Sequence, residues 1–195
     1  GNDRSAGEGG DDRLSCGAGD DLLLGGDGNN ALYGDGDCDQ LSVTGNGRNM
    51  LYGGGGADEL IGGSGDDILF GGDGTGVPDD RGDVIWAGDG ADIVYGEAGN
   101  DQISAGAGND FVYGGSGNDK IEAEAGDDYI DAGEGSDRVS GGLGFDLLVQ
   151  VVDADQALTD ATLTGNGLNK FAGVERIQLV GGPGKIGRAS CRERV

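Results

Sequence analysis

From Asp92 onward an aspartate stands at every ninth position: Asp92, Asp101, Asp110, Asp119, Asp128, Asp137 and Asp146. A glycine precedes each by two residues, from Gly90 to Gly144. Carboxylates are hard anionic oxygens, and their complement is a hard cation. The net charge of −25 over 195 residues points the same way and repels nucleic acid at long range. The chain has no histidine, which excludes Ser-His-Asp triads, Cys-His pairs and the H-E-x-x-H zinc helix. Paired carboxylates cleave glycosides only where a cleft holds one acid of raised pKa. No such cleft is legible, so no catalytic constellation is expected in this chain, although a parent protein could carry one elsewhere.

Something must hold these acids at a fixed interval. With the acid at position six and an aliphatic residue at position eight, fifteen nonapeptides run from Gly7 to Val149. The register needs one extra residue, Val43, and seven more between Gly74 and Asp83. Position six also holds Asp12, Asp21, Asp39, Asp58, Asp67 and Asp83, and only Asn30 and Asn49 depart from aspartate. Position eight is aliphatic in every unit, from Leu14 to Leu148, and position four is glycine except at Asp37. Positions seven to nine read outward, inward, outward, as a three-residue strand requires. The glycines of positions one to four let the chain turn through conformations closed to a residue with a Cβ. With 47 glycines and 5% aromatic residues, composition alone leans towards a disordered acidic linker. A linker leaves position eight unexplained.

The unit Gly114–Glu122, G-G-S-G-N-D-K-I-E, resembles the G-G-x-G-x-D-x-U-x nonapeptide of the RTX (repeats-in-toxin) family, the haemolysin-type calcium-binding repeat. The resemblance covers about three quarters of the chain. It implies an all-β fold, a right-handed parallel β-roll in which two nonapeptides make one coil, with calcium between consecutive turns. The physical reading agrees. A glycine turn aims several carbonyls at one spot, the position-six carboxylate joins them, and calcium takes six to eight oxygens at about 2.3–2.6 Å. The expected ligands are Asp12, Asp21, Asp39, Asp58, Asp67, Asp83, Asp92, Asp101, Asp110, Asp119, Asp128, Asp137 and Asp146. Carbonyls of turn residues such as Gly88, Gly90, Gly106, Gly108, Gly115 and Gly117 would complete the sites.

Two nonapeptides per coil sort the units into two rows. One runs Asp21, Asp39, Asp58, Asp83, Asp101, Asp119, Asp137, with Asp3 ahead of it. The other runs Asp12, Asn30, Asn49, Asp67, Asp92, Asp110, Asp128, Asp146. Without their charges, Asn30 and Asn49 should make a weak or vacant site. The insertion, with Pro78, Asp79 and Asp80, either bulges outward or adds a ligand. In the second row position nine reads Tyr33, Tyr52, Phe70, Tyr95, Tyr113. That face either stacks as a ladder, or is covered by neighbouring chain, or docks a partner, flanking domain or glycan.

Three divisions are expected: residues 1–149 as the calcium-binding roll, 150–184 as a β spacer, and 185–195 as an artefactual tail. Leu158–Leu163 and Val174–Val180 read as short strands of the spacer. Ile186–Val195 resembles the in-frame translation of a sequencing-library adapter. Cys16, Cys38 and Cys191 make no disulfide framework, although Cys16 and Cys38 on neighbouring coils could bridge. No apolar run reaches the roughly 18 residues that span a membrane. With no initiator Met and no signal peptide, the chain reads as a fragment beginning inside the array. The family resemblance implies a secreted or cell-surface bacterial protein, exported unfolded by a type I system and folded outside by calcium. It equally allows an adhesive module, or the accessory repeats of a protease, lipase or epimerase.

Overall fold

The computed structural model describes residues 1–72 and 81–152, then strand segments 157–159, 162–164, 168–172, 176–181 and 186–190; from residue 150 onward only backbone pairing is described. Sixteen strands lie between Arg4 and Val152 among these residues. They alternate between two parallel sheets, so two nonapeptides close one coil and about eight coils stack into a solenoid. The alternation follows from length. Three extended residues and a six-residue turn reverse the chain once, and a second unit brings it back above its starting point.

The register repeats every 18 residues. Ile93, Val94 and Tyr95 pair with Phe111, Val112 and Tyr113. Across the insertion the step lengthens, and Leu69 pairs with Val94, so the extra residues leave the ladder undisturbed. Position eight forms the core: Leu32, Leu51, Leu69, Val94, Val112 and Ile130 on one sheet all have no exposure, facing Leu41, Leu60, Ile85, Ile103 and Ile121 on the other. Such a core is one side chain thick. It buries apolar surface in every coil but leaves the turns to be held by other means.

The extra residue of the early array is not Val43. Val43 donates its N–H to Ile61 O at 3.0 Å, as Gly25 does to Ser42 O and Gly62 does to Trp86 O. It therefore takes position one of its unit and is buried at 1% exposure. The surplus falls on exposed Thr44. The sequence misled because position one is otherwise glycine, alanine or cysteine, and a branched apolar side chain looked like an intruder.

Position one also shapes the later coils. The strands Val84–Asp89, Gln102–Ala107 and Lys120–Ala125 run six residues rather than three. Each carries a second inward side chain, Ala87, Ala105 or Ala123, with no exposure. Alanine alone does not cause this. Ala132 is equally buried but follows the three-residue strand Tyr129–Asp131 of the other sheet.

Beyond the array each sheet gains one more parallel strand, Leu168–Ala172 on Arg138–Ser140 and Arg176–Gly181 on Leu147–Val152. The expected Leu158–Leu163 strand is two strands, Ala157–Thr159 and Thr162–Thr164, paired antiparallel. The second sheet ends on Ile186–Ser190, antiparallel to Arg176–Gly181. Both sheets thus pass from parallel to antiparallel pairing beyond the array. Cys16 and Cys38 are free thiols, so the bridge weighed from sequence does not form. Cys191, Pro78, Asp79 and Asp80 lie outside the described residues.

Candidate metal centres

The turns need glycine for two separate reasons. At Gly115 and Gly117 the backbone sits at φ 107° and 136°, a region disfavoured for any residue with a Cβ. A Cβ there would also run into the carbonyl oxygens of Glu97 and Gly99 in the coil below. The same approach recurs at Gly88, Gly90, Gly106 and Gly108, against Gly63, Gly65, Gly88 and Gly90. Successive turns thus stack with their carbonyls against the next turn's glycine Cα atoms.

Into this stack each position-six side chain folds inward. Asp21, Asp39, Asp58, Asp67, Asp83, Asp92, Asp101, Asp110, Asp119, Asp128, Asp137 and Asp146 are at most 3% exposed, and only Asp12 in the first coils is partly exposed. One oxygen of each pair is employed. Oδ1 of Asp110 accepts the N–H of Asp92 at 2.8 Å, Oδ1 of Asp128 that of Asp110 at 2.9 Å, and Oδ1 of Asp146 that of Asp128 at 3.1 Å. The other row repeats the bond from Asp3–Asp21 to Asp119–Asp137. Both rows therefore run in the order set by the parity of the units.

The second oxygen is left over. Oδ2 of Asp12, Asp21, Asp39, Asp67, Asp92, Asp110, Asp119 and Asp128 is buried with no hydrogen-bond partner. A buried carboxylate oxygen without a donor or counter-charge costs several kcal/mol on the order of an unmade charged hydrogen bond or more. Burial accordingly pushes the carboxyls of Asp39, Asp67, Asp92, Asp110 and Asp119 up to about 6 and that of Asp128 to about 7. The N–H of the coil below opposes this at each, and neighbouring carboxylates such as Asp67 beside Asp92 reinforce it. Repeated at these eight aspartates, that arrangement calls for positive charge.

The two asparagines report what surrounds the leftover atom. Asn30 keeps the ladder bond through Oδ1, so its Nδ2 is the counterpart of Oδ2. That nitrogen lies 3.3 Å from Gly26 O and 3.3 Å from Gly28 O, at positions two and four of its own turn. Nδ2 of Asn49 lies 3.0 Å from Gly47 O, 3.4 Å from Gly62 O and 3.0 Å from Asp67 Oδ1 of the next turn. Around this atom, then, gather own-turn carbonyls, a carbonyl of the next turn and a carboxylate of the next turn. With aspartate in place every member of that set is an oxygen acceptor, which suits a hard divalent ion. Among the described residues no three His, Cys, Asp or Glu side chains converge on one point. Each turn contributes a single carboxylate, and the backbone supplies the remainder. The donor set fits calcium.

A ladder at position five was not anticipated from sequence. Oδ1 of Asn100 accepts the N–H of Asn118, and Oδ1 of Asn118 that of Ser136, both at 2.8 Å. Asp11, Asn29, Asp66, Asn109 and Asp127 do the same. These bonds run up the stack whereas the position-six bonds run down it, so adjacent peptide N–H groups of each turn are satisfied from opposite sides. The signal was the frequent Asn or Asp directly before the acid.

On the outer face of the second sheet Tyr33, Tyr52, Phe70, Tyr95 and Tyr113 stack ring on ring, with centroids 4.7–5.0 Å apart and planes within 7° of parallel. The spacing is that of the strands beneath them.

A parallel β-solenoid with one inward carboxylate per glycine turn defines a class: repeat proteins whose turns are built to hold cations. Residues 6–41, 43–78, 79–112 and 113–148 match the model of the RTX calcium-binding nonapeptide repeat, and the chain belongs to that family. No curated protein matches it.

Proposed function

We propose that this chain is the calcium-binding repeat module of a secreted bacterial protein, and that it folds when calcium fills its turns after export by a type I system. The observation that carries this is the double column of buried, partnerless Oδ2 atoms, each in a turn lined by carbonyl oxygens. Asp12, Asp21, Asp39, Asp58, Asp67, Asp83, Asp92, Asp101, Asp110, Asp119, Asp128, Asp137 and Asp146 would hold the ions with the turn carbonyls. Bound calcium supplies the positive charge that lets neighbouring carboxylates stack. The protein's own part is to preset the turns through glycine, to fix each Oδ1 by a backbone N–H, and to bury Oδ2 away from water.

In the low-calcium interior of a cell the net charge of −25 and the thin core favour an expanded chain, which suits passage through an export channel. Outside, extracellular calcium modules bind at about 10⁻⁴–10⁻³ M. An adhesive role for the aromatic face has less support. The rings spend their faces on one another, leaving edges for a partner, whereas sugar rings stack on free aromatic faces. No helix among the described residues is long and apolar enough to cross a membrane. Any catalytic activity belongs to other parts of a parent protein. Circular dichroism in EGTA, then at millimolar calcium, tests the reading: the β signal should appear with calcium, and a full signal in EGTA would sink it.

A further inference from the structure

Asn30 and Asn49 are as buried as the aspartates around them, at 2% and 3% exposure. They also keep the ladder, since Oδ1 of Asn30 accepts the N–H of Asp12 at 3.0 Å and Oδ1 of Asn49 that of Asn30 at 2.9 Å. The difference lies in the second atom. Where aspartate leaves Oδ2 without a partner, Nδ2 of Asn30 donates towards Gly26 O and Gly28 O, and Nδ2 of Asn49 donates to Gly47 O, Gly62 O and Asp67 Oδ1. The acceptors meant for a cation already have hydrogens aimed at them.

Two neighbouring features agree. Val43, buried at 1% exposure, occupies position one of the Asn49 unit. A Cβ on Gly25 would meet its Cγ1 at 2.6 Å and Cβ of Asn30 at 3.1 Å, so an apolar side chain reaches into the same corner. The surplus residue, exposed Thr44, falls in the same turn. A divalent ion placed there would meet carboxamide hydrogens and a methyl group. Between Asn30 and Asn49 it would also find no carboxylate to balance its charge, and shedding its water would go uncompensated.

We propose that Asn30 and Asn49 are site-selecting residues: their carboxamides close these two turns without a cation and divide the second row into a short acidic stretch at Asp12 and a long one from Asp67 to Asp146. This rests on the calcium reading above. It deepens that reading by stating which turns refuse the ion and by what group. The row is then a mixed stack, in which the asparagine coils transmit the ladder from one calcium-bound stretch to the next.

Two measurements on the full chain test it. Calcium stoichiometry by titration calorimetry is compared between the chain and its Asn30→Asp/Asn49→Asp double variant, which should bind more ions per chain. Hydrogen exchange of ¹⁵N-labelled side-chain amides in the calcium-loaded native chain needs no variant. There the Asn30 and Asn49 carboxamides should exchange slower than those of exposed Asn100 and Asn109 by about tenfold or more, as expected for buried donors. Equal stoichiometry in the two chains, or Asn30 and Asn49 amides exchanging as fast as the exposed pair, overturns the proposal. If the double variant does not fold, the amide measurement decides alone. Absence of calcium binding by the native chain would instead bring down the functional reading on which the proposal stands.

Discussion

The turns at Asp110 and at Asn30 share one ladder bond and differ in one atom of the position-six side chain. At Asp110 the side chain leaves a buried oxygen facing the turn carbonyls. At Asn30 it turns a nitrogen to the same carbonyls. The first arrangement leaves a buried charge uncompensated, which a divalent ion would balance; the second is closed by its own hydrogen bonds. The same ladder bond serves both, which is why the solenoid passes from one to the other without a break in register. The comparison teaches that the backbone geometry is generic and that the position-six side chain decides what closes each turn.

The largest effect is expected where acidic turns adjoin acidic turns. From Asp92 to Asp146 every position six is aspartate with no insertion, so nearest-neighbour coupling should be strongest there and folding should begin there. Asp119→Ala should therefore raise the calcium midpoint for the whole chain, on the order of tenfold in concentration, by removing one shared ligand from the middle of a row. Hydrogen exchange at stepped calcium should show protection in this block first. Protection appearing first before Tyr52 would reverse the ranking.

Next comes the core. Ile121, fully buried, should cost about 2–5 kcal/mol when replaced by alanine, measured by denaturant unfolding in saturating calcium. Leu14→Ala should cost less, because Leu14 is only partly buried against the same core. Equal losses at the two positions would show that the first coils are as well packed as the later ones.

A smaller effect is expected from the ladder. Tyr95 stacks between Phe70 and Tyr113 at 4.8 Å on each side, and Tyr95→Ala should lose about 0.5–1.5 kcal/mol beyond the burial term. Calcium stoichiometry should not change, since the face lies away from the turns. The smallest is Asp12→Ala, which should alter exchange only in the first coils and leave the calcium midpoint of the rest in place. A shift of the whole transition would mean that the early and late blocks fold as one unit.

Much of this was legible in the sequence because period and chemistry coincide. Position eight named the core, and parity of the units named the two rows, since a two-unit coil leaves no other stacking. The Val43 register failed for a different reason: backbone hydrogen bonds fix position one, and residue type does not report them when the slot tolerates both a missing and a branched side chain. The position-five ladder escaped because Asn and Asp are common in turns for local reasons, whereas here they bond to a neighbour 18 residues away. The closure by Asn30 and Asn49 was visible only as lost charge. That the amide also donates to the same carbonyls needed their positions.

The central claim is that the partnerless Oδ2 atoms are calcium ligands, and anomalous scattering from crystals of the calcium-loaded chain tests it most directly. Peaks are predicted along Asp67–Asp92–Asp110–Asp128–Asp146 and Asp101–Asp119–Asp137, each about 2.3–2.6 Å from an aspartate oxygen. A folded chain at millimolar calcium with no peak beside Asp92, Asp110, Asp119 or Asp128 would contradict the account.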